Sequence, residues 1–437
     1  MGYHMRLFFA GLLTRRPAAI LSKTATAVIV FIFLSGCGDT FRPVSNPIPQ
    51  PGGDPSGTVE NAIIVSANGA NPGTGMHIDV SGDTVVAVEN VGVNPVHAAI
   101  IGGEVVVANK TDGTLSIYPA SSGPGASVQT VTLPTKNSNS PPEAQPGFVA
   151  STDNTNIYVT QPGRTPSSVG VVSLSTFSET FEISDASASI SNPVAIAQLP
   201  NGGKIYVANQ GSNKVTVIDP TLIPLTTQLN PSAAIKTTLA LAVGAAPSAI
   251  VASAEGNCLY VANSGNNTVS VINATSDTVM PTPIPVGGGP SFLRFDPKLQ
   301  RVYVANTTGG SISIINHAAD CSASTATTVG VGTAPTSIAA LSDGTRAYIA
   351  NSGDSTVSVL LTSSNTIKTF PAPHNPVAIP VGGAPVSIGS SADGTRVVVA
   401  NGGTANISII RTSDDTVVAN PAAIPAGASP RFVLMNP

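Results

Sequence analysis

Tryptophan is absent from this chain, aromatic side chains make up only 4% of it, and charged residues only 10%, well under the usual quarter. No run or patch of basic residues occurs and the net charge is −4, so the electrostatic footprint of a nucleic-acid binder is missing. Histidine is equally thin. His4, His77, His97, His317 and His374 are scattered, without a closely spaced pair, and there is neither a CxxC nor an EF-hand loop, so no metal centre and no cofactor can be read from the chain. Cysteine is limited to Cys37, Cys258 and Cys321.

What is abundant is glycine (42) and proline (37), together with a hydrophobic fraction of 42% over 437 residues. That composition suits many short strands and turns around a large core. One stretch recurs. Lys204–Asp219 (KIYVANQGSNKVTVID) reads as a strand, a tight Asn/Gly turn and a second strand, with near copies at 258–273, 301–316, 346–361 and 396–411 and weaker ones at 105–118 and 157–174. The residues closing each Tyr-Val-Ala-Asn strand are Asn109, Gln161, Asn209, Asn263, Asn306, Asn351 and Asn401, spaced 43 to 54 residues apart.

A Pro-introduced strand precedes each marker strand, and a third and fourth follow, the fourth often opened by a phrase such as Ser-Asp-Thr-Val. Four strands in about 48 residues is the size of a β-propeller blade, whereas a β-helix coil is shorter and a helical solenoid would carry helices. Residues 61–91 match the second, third and fourth strands of a blade, and 429–436 match a lone first strand, so both chain ends would close one further blade and remove exposed sheet edges. The expectation is an all-β propeller of eight blades over residues 61–437, with seven as the alternative if the N-terminal strands pack outside.

The Tyr-Val-Ala-Asn strand, its Pro-introduced neighbour and the following Val-Ser-Val-Ile-Asn strand resemble the YVTN-type β-propeller repeat family of bacterial and archaeal surface proteins. Those relatives are usually seven-bladed, and they include surface-layer proteins and others similar to lactonases. Pyrroloquinoline-quinone enzymes are eight-bladed but carry Trp-containing blade motifs, which this chain lacks. At the N-terminus, Arg6, Arg15, Arg16 and Lys23 precede the ten-residue apolar run 25–34, too short for a membrane-spanning helix and laid out as a secretory signal. Leu34-Ser35-Gly36-Cys37 resembles the lipobox of bacterial lipoproteins. That resemblance implies a signal peptide over 1–36, a lipidated Cys37 and, with Gly38 rather than Asp next, the outer membrane of the cell envelope. Residues 38–60, with five prolines, read as a tether.

The innermost strands should line the central channel, and the candidate stretches contain no Asp or Glu. Their only ionisable side chains are His97, Arg294 and Arg431. Acid–base chemistry needs a tuned proton acceptor; His97 is the sole candidate and lacks a carboxylate on those strands to orient it. No catalytic residue is assigned. Cys258 and Cys321 fall at the same end of adjacent blades in an exported chain, which leaves open either an interblade disulfide or two unpaired thiols. The opposite face gathers the Asn/Gly turns (209–214, 263–268, 306–310, 351–356, 401–406) and the Val-Gly-x-x-Pro linkers. It is small, neutral and poor in the aromatics a glycan would stack on, so a protein partner in the envelope is the better expectation. Two functions remain in play: a lipid-anchored, non-catalytic binding scaffold, and a lactonase-like or other hydrolase acting at the channel mouth.

Overall fold

Tyr-Val-Ala-Asn runs have no polar alternation because neither side of these strands meets water. In the computed structural model the second strands at Ile205–Asn209, Cys258–Asn263, Arg301–Asn306, Arg346–Asn351 and Arg396–Asn401 are buried from their second or first residue onward. Tyr158, Tyr206, Tyr260, Tyr303 and Tyr348 are wholly enclosed. The structure describes residues 61–436 apart from 81–83, 122–125, 135–142, 186, 188, 224–230, 371–376, 419–423 and 426. The expected signal peptide, the lipidated Cys37 and the tether to residue 60 lie outside the described residues.

The strands form eight antiparallel sheets. Blades 1 to 7 occupy 95–132, 149–184, 193–240, 247–285, 290–330, 335–380 and 385–417. Blade 8 joins the innermost strand Ser429–Met435 to Asn61–Asn68, Asn71–Asp79 and Thr84–Val93. The two chain ends therefore share one sheet, with Ile64 opposite Val433. In blades 4 and 6 the outermost strand is broken into two short pieces that pair with the same third strand. Eight apolar clusters lie between consecutive blades, from Tyr118 with Val65 at the blade 8–1 seam to Ile409 with Ile64 at the blade 7–8 seam. The innermost strands touch their neighbours in the same order, so the ring closes. Among the described residues the one helical element is a 3-10 turn at Pro220–Leu222.

A buried strand end needs its polar groups satisfied inside the protein. The marker Asn meets this in part: its Nδ2 donates at 2.9–3.0 Å across the turn to the hydroxyl seven residues on, at Ser116, Thr216, Ser270, Ser313, Ser358 and Ser408, while its Oδ1 is buried without a partner among the described residues. In five blades the same Nδ2 also donates to the side-chain oxygen five residues on, where the turn closes, at Thr114, Thr268, Ser311, Thr356 and Asn406 (3.0–3.1 Å). The linker from the preceding blade passes directly over this amide. A Cβ at Gly287, Gly332 or Gly382 would stand 2.5–2.7 Å from the side-chain amide of Asn306, Asn351 or Asn401, so the Val-Gly phrase is a packing requirement. Proline opens the innermost strands, where its missing N–H is tolerated on the edge facing the channel.

A second device locks adjacent blades. The residue at the start of a second strand reaches a left-handed turn residue of the next blade. Lys204 bonds Asp277 (2.8 Å) and the Ala274 carbonyl (2.7 Å), Arg301 bonds Asn365 (3.2 Å) and the Thr362 carbonyl (2.9 Å), and Arg346 bonds Asp415 (2.8 Å) and the Thr412 carbonyl (2.7 Å). Tyr206 and Tyr348 add their hydroxyls to Asp277 and Asp415. At the blade 4–5 seam the equivalent positions are Cys258 and Cys321. Cys321 has the same left-handed backbone as Asp277, Asn365 and Asp415 (φ 64° against 53°, 53° and 57°), and the two cysteines are disulfide-bonded, their Cα atoms 5.6 Å apart.

Two outcomes follow from this geometry. Asp415→Ala strands the Arg346 and Lys368 cations and the Tyr348 hydroxyl, and should cost about 3 kcal/mol in a denaturant titration; a loss under 0.5 kcal/mol would show that the clasp is decorative. Replacing both cysteines by serine should lower the thermal midpoint, while Cys258→Arg with Cys321→Asp should recover part of that loss by rebuilding the clasp of the neighbouring seams. Calorimetry on the two double variants decides it.

Candidate functional site

The innermost strands carry the three ionisable residues read from the sequence, but the structure does not bring them together. Arg294 lies on Pro290–Asp296 of blade 5 and reaches a cavity of about 270 Å³ on the channel, lined also by Ile100, Ile338, Ile388, Leu434 and Met435. Its side chain is open to the channel yet enclosed by protein around it. Desolvation pulls its pKa down, and the charge of Asp296 opposes that. Arg431, the second residue after the start of Ser429–Met435, is exposed in a separate hollow of about 290 Å³ with Asn94, Val96, Val386 and Phe432.

His97 lines neither hollow. Its ring stacks on Phe148 of blade 2 with centroids 3.7 Å apart, and Phe432 of blade 8 meets it edge-on at 5.6 Å. Its Nδ1 accepts the Val149 backbone N–H at 3.3 Å. Burial pushes its pKa down to about 3, so the imidazole is neutral at physiological pH with its basic nitrogen already engaged. That is the environment of a seam residue joining three blades. The blade 5 strand also runs one residue further than its sequence reading, to Asp296. An acid thus does stand on an innermost strand, but its Oδ1 accepts the Lys298 and Leu299 N–H groups (2.9 and 3.1 Å) and holds the turn.

Two buried clusters of ionisable residues escaped the sequence reading. In blade 8, His77 Nε2 lies 3.4 Å from Glu89 Oε2, and the His77 ring meets Tyr118 of blade 1 edge-on at 5.8 Å. Burial raises Glu89 to about 7, partly offset by its backbone hydrogen bond, and lowers His77, so burial favours the uncharged form of each. Tyr118 is raised too, by burial first and by Glu89 second. In blade 2, Arg164 lies between Glu179 (3.4 Å) and Glu182 (3.3 Å), all three nearly inaccessible. Gln161, which replaces the marker Asn in this blade, donates to Glu179 at 2.8 Å. That replacement was the visible signal of a changed local network; the blade 8 pair had none, since its residues are twelve apart on separate strands. Among the described residues no three His, Cys, Asp or Glu side chains cluster as metal ligands.

The opposite face is built by the turns between second and third strands. In blades 3, 4, 6 and 7 the turn is pinned by two backbone bonds to the linker beneath it: Gln210 and Gly211 N–H to the Asn192 and Ser191 carbonyls, Ser264 and Gly265 to Ala246 and Ala245, Ser352 and Gly353 to Ala334 and Thr333, Gly402 and Gly403 to Ala384 and Gly383, at 3.0–3.2 Å for the first three pairs and 2.9–3.0 Å for the last. The tips Gly211, Gly265, Gly353 and Gly403 are exposed. The result is a repeated, rigid and neutral surface.

A family model for the seven-bladed β-propeller lactonases matches residues 76–320. The chain belongs to that family. It departs from the family's description in its eight blades. No curated protein matches it. Similar solved structures include dihydro-heme d1 dehydrogenase NirN in complex with DHE, 14% identical over 91% of this chain and 76% of that one (TM-score 0.60). A putative 6-phosphogluconolactonase from Bacteroides fragilis NCTC 9343 is 13% identical over 88% and 99% (TM-score 0.53). Hydrazine synthase of Kuenenia stuttgartiensis is 18% identical over 74% and 96% (TM-score 0.53). At these identities the likeness is one of fold alone.

The Glu89 pair gives a pH dependence with a definite sign. Its folded pKa lies above that of an unfolded carboxylate, so the folded state binds the extra proton and stability falls as pH rises from about 4.5 to about 7. Glu89→Gln should therefore stabilise the lactonase-family propeller by about 1–2 kcal/mol at pH 8, after allowance for nearby solvent, and by almost nothing at pH 4. Equal effects at both pH values in urea titrations would contradict the assignment.

Proposed function

We propose that this lactonase-family propeller is a non-catalytic binding protein of the cell envelope. It would be anchored through lipid on Cys37 and would present its Asn/Gly turn face to a protein partner. The observation that carries this reading is the pinning of those turns: in blades 3, 4, 6 and 7 each tip is held by two backbone hydrogen bonds to the linker below, so little conformational freedom is lost when a partner docks. The turns offer peptide groups, amides and hydroxyls with almost no charge, which suits a protein surface rather than a nucleic acid. The anchor and tether would hold this face away from the membrane.

A hydrolase at the channel mouth is the second reading, favoured by the family and by the cationic Arg294 on the channel. Against it stands His97, the one titratable base found on the innermost strands among the described residues, whose low pKa and engaged Nδ1 do not suit it to general-base work. Photo-crosslinking residues placed at Asn266 and Thr404 on the turn face, and at Asp343 on the opposite face, separate the two in intact cells expressing the full chain. Adducts with one defined protein from the first two positions only are expected. Adducts from all three alike, or none, would overturn the docking reading. Hydrolysis of a panel of lactones by the purified chain, lost on Arg294→Met, would establish the second.

A further inference from the structure

Three linkers between blades are clamped at both ends by a left-handed residue of the turn beside them. Asn267 accepts the Val286 and Gly289 N–H groups on its carbonyl and its Oδ1 (3.0 and 2.8 Å), and Ser355 accepts those of Val381 and Ala384 on its carbonyl and its Oγ (3.1 and 3.3 Å). Between blades 3 and 4, Asn213 does the same for Leu241 and Ala246 (3.0 and 2.7 Å). The clamp thus spans 286–289 and 381–384 in two linkers but 241–246 in this one, two residues more. Leu241 and Ala245 are buried in the cluster between blades 3 and 4. The residues between them, Ala242, Val243 and Gly244, are all exposed.

The exposed residues form a β-turn, closed by the Ala245 N–H on the Ala242 carbonyl (3.1 Å), and the φ of 73° at Gly244 is what the third position of a type II turn requires. This turn leans on the blade 4 hairpin. The Gly265 N–H donates to the Ala245 carbonyl at 3.0 Å, and a Cβ at Gly265 would come within 2.1 Å of the Gly244 carbonyl oxygen. Val243 stands at the tip and is 99% exposed, whereas the next most exposed large apolar side chain among the described residues, Val377, is at 52%. Isolated surface valines are ordinary, but one held clear of its own protein on a braced, inserted turn serves no packing need.

We propose that Val243 is the anchor with which the turn face seats its protein partner, entering an apolar socket on that partner while the glycine-tipped turns of blades 3 and 4 allow close backbone approach around it. This deepens the docking reading of that face and rests on it. A β-branched side chain on a braced turn has little rotamer freedom to lose, and full burial of a valine is worth about tenfold or more in affinity. One valine between Ala242 and Gly244, with no basic residue in the turn, is too small and too neutral an area to hold a membrane surface.

The test uses intact cells expressing the full chain with a photo-crosslinking residue at Asn266. Val243→Asp should cut the yield of the partner adduct at least tenfold, and Val243→Thr, which keeps the shape, should cut it less. Val243→Ile should keep the parent yield, as should Leu222→Gln, which removes an exposed apolar side chain far from the turns. The three Val243 variants should melt at the parent temperature, since the side chain is wholly exposed. An unchanged adduct yield in Val243→Asp overturns the anchor and leaves the docking reading standing, as does a fall in melting temperature that accounts for the lost adduct. Absence of any adduct from the parent at both Asn266 and Thr404 overturns the docking reading and the anchor with it.

Discussion

Everything in this fold depends on burying both faces of each blade's middle strands against neighbouring blades. The eight interblade clusters are the core, and no other hydrophobic centre is needed. Burial of this kind favours paired polar groups, and the marker Asn pairs its Nδ2 with the third-strand hydroxyl beyond its turn, although its Oδ1 is left without a partner among the described residues. Once that amide is fixed, the linker above it must be glycine and the innermost strand must begin on an edge where proline is tolerated. A single packing constraint thus accounts for the repeat's Asn, Ser, Gly and Pro.

The same geometry separates rigidity from chemistry. Ion-pair clasps and the Cys258–Cys321 bond occupy equivalent positions at one end of the ring, while the pinned turns occupy the other. Between them, the channel is lined by strand edges with few functional side chains. Its histidine has been recruited to a seam, and its one innermost acid to a turn. What remains available for binding is a rigid neutral face and a channel hollow that Arg294 reaches.

Membership of a family described as seven-bladed sits easily with eight blades here, because a propeller's seams are alike and ring size is set by how sharply adjacent blades splay. The added blade does not change the repeat's internal logic. Arg294 and Arg431 stand on strands that line separate hollows.

The sequence by itself determined the four-strand blade, its period and the neutral character of the turn face, because each follows from a repeated local pattern of apolar residues and Asn, Gly and Pro; it favoured eight blades closed by both chain ends over seven, and the pairing of Asn61–Asn68 with Ser429–Met435 decided it. It also located Arg294, Arg431 and His97 on innermost strands and put the two cysteines at one end of adjacent blades. Only the tertiary structure decided what those residues meet. Position along a strand does not reveal that Phe148 and Phe432 close on His97, that Glu89 lies within reach of His77 and beside Tyr118, or that Cys321 takes the place of a clasp carboxylate. Such contacts join residues from a dozen to hundreds of positions apart, and they depend on how strands and whole sheets pack, which no local pattern encodes.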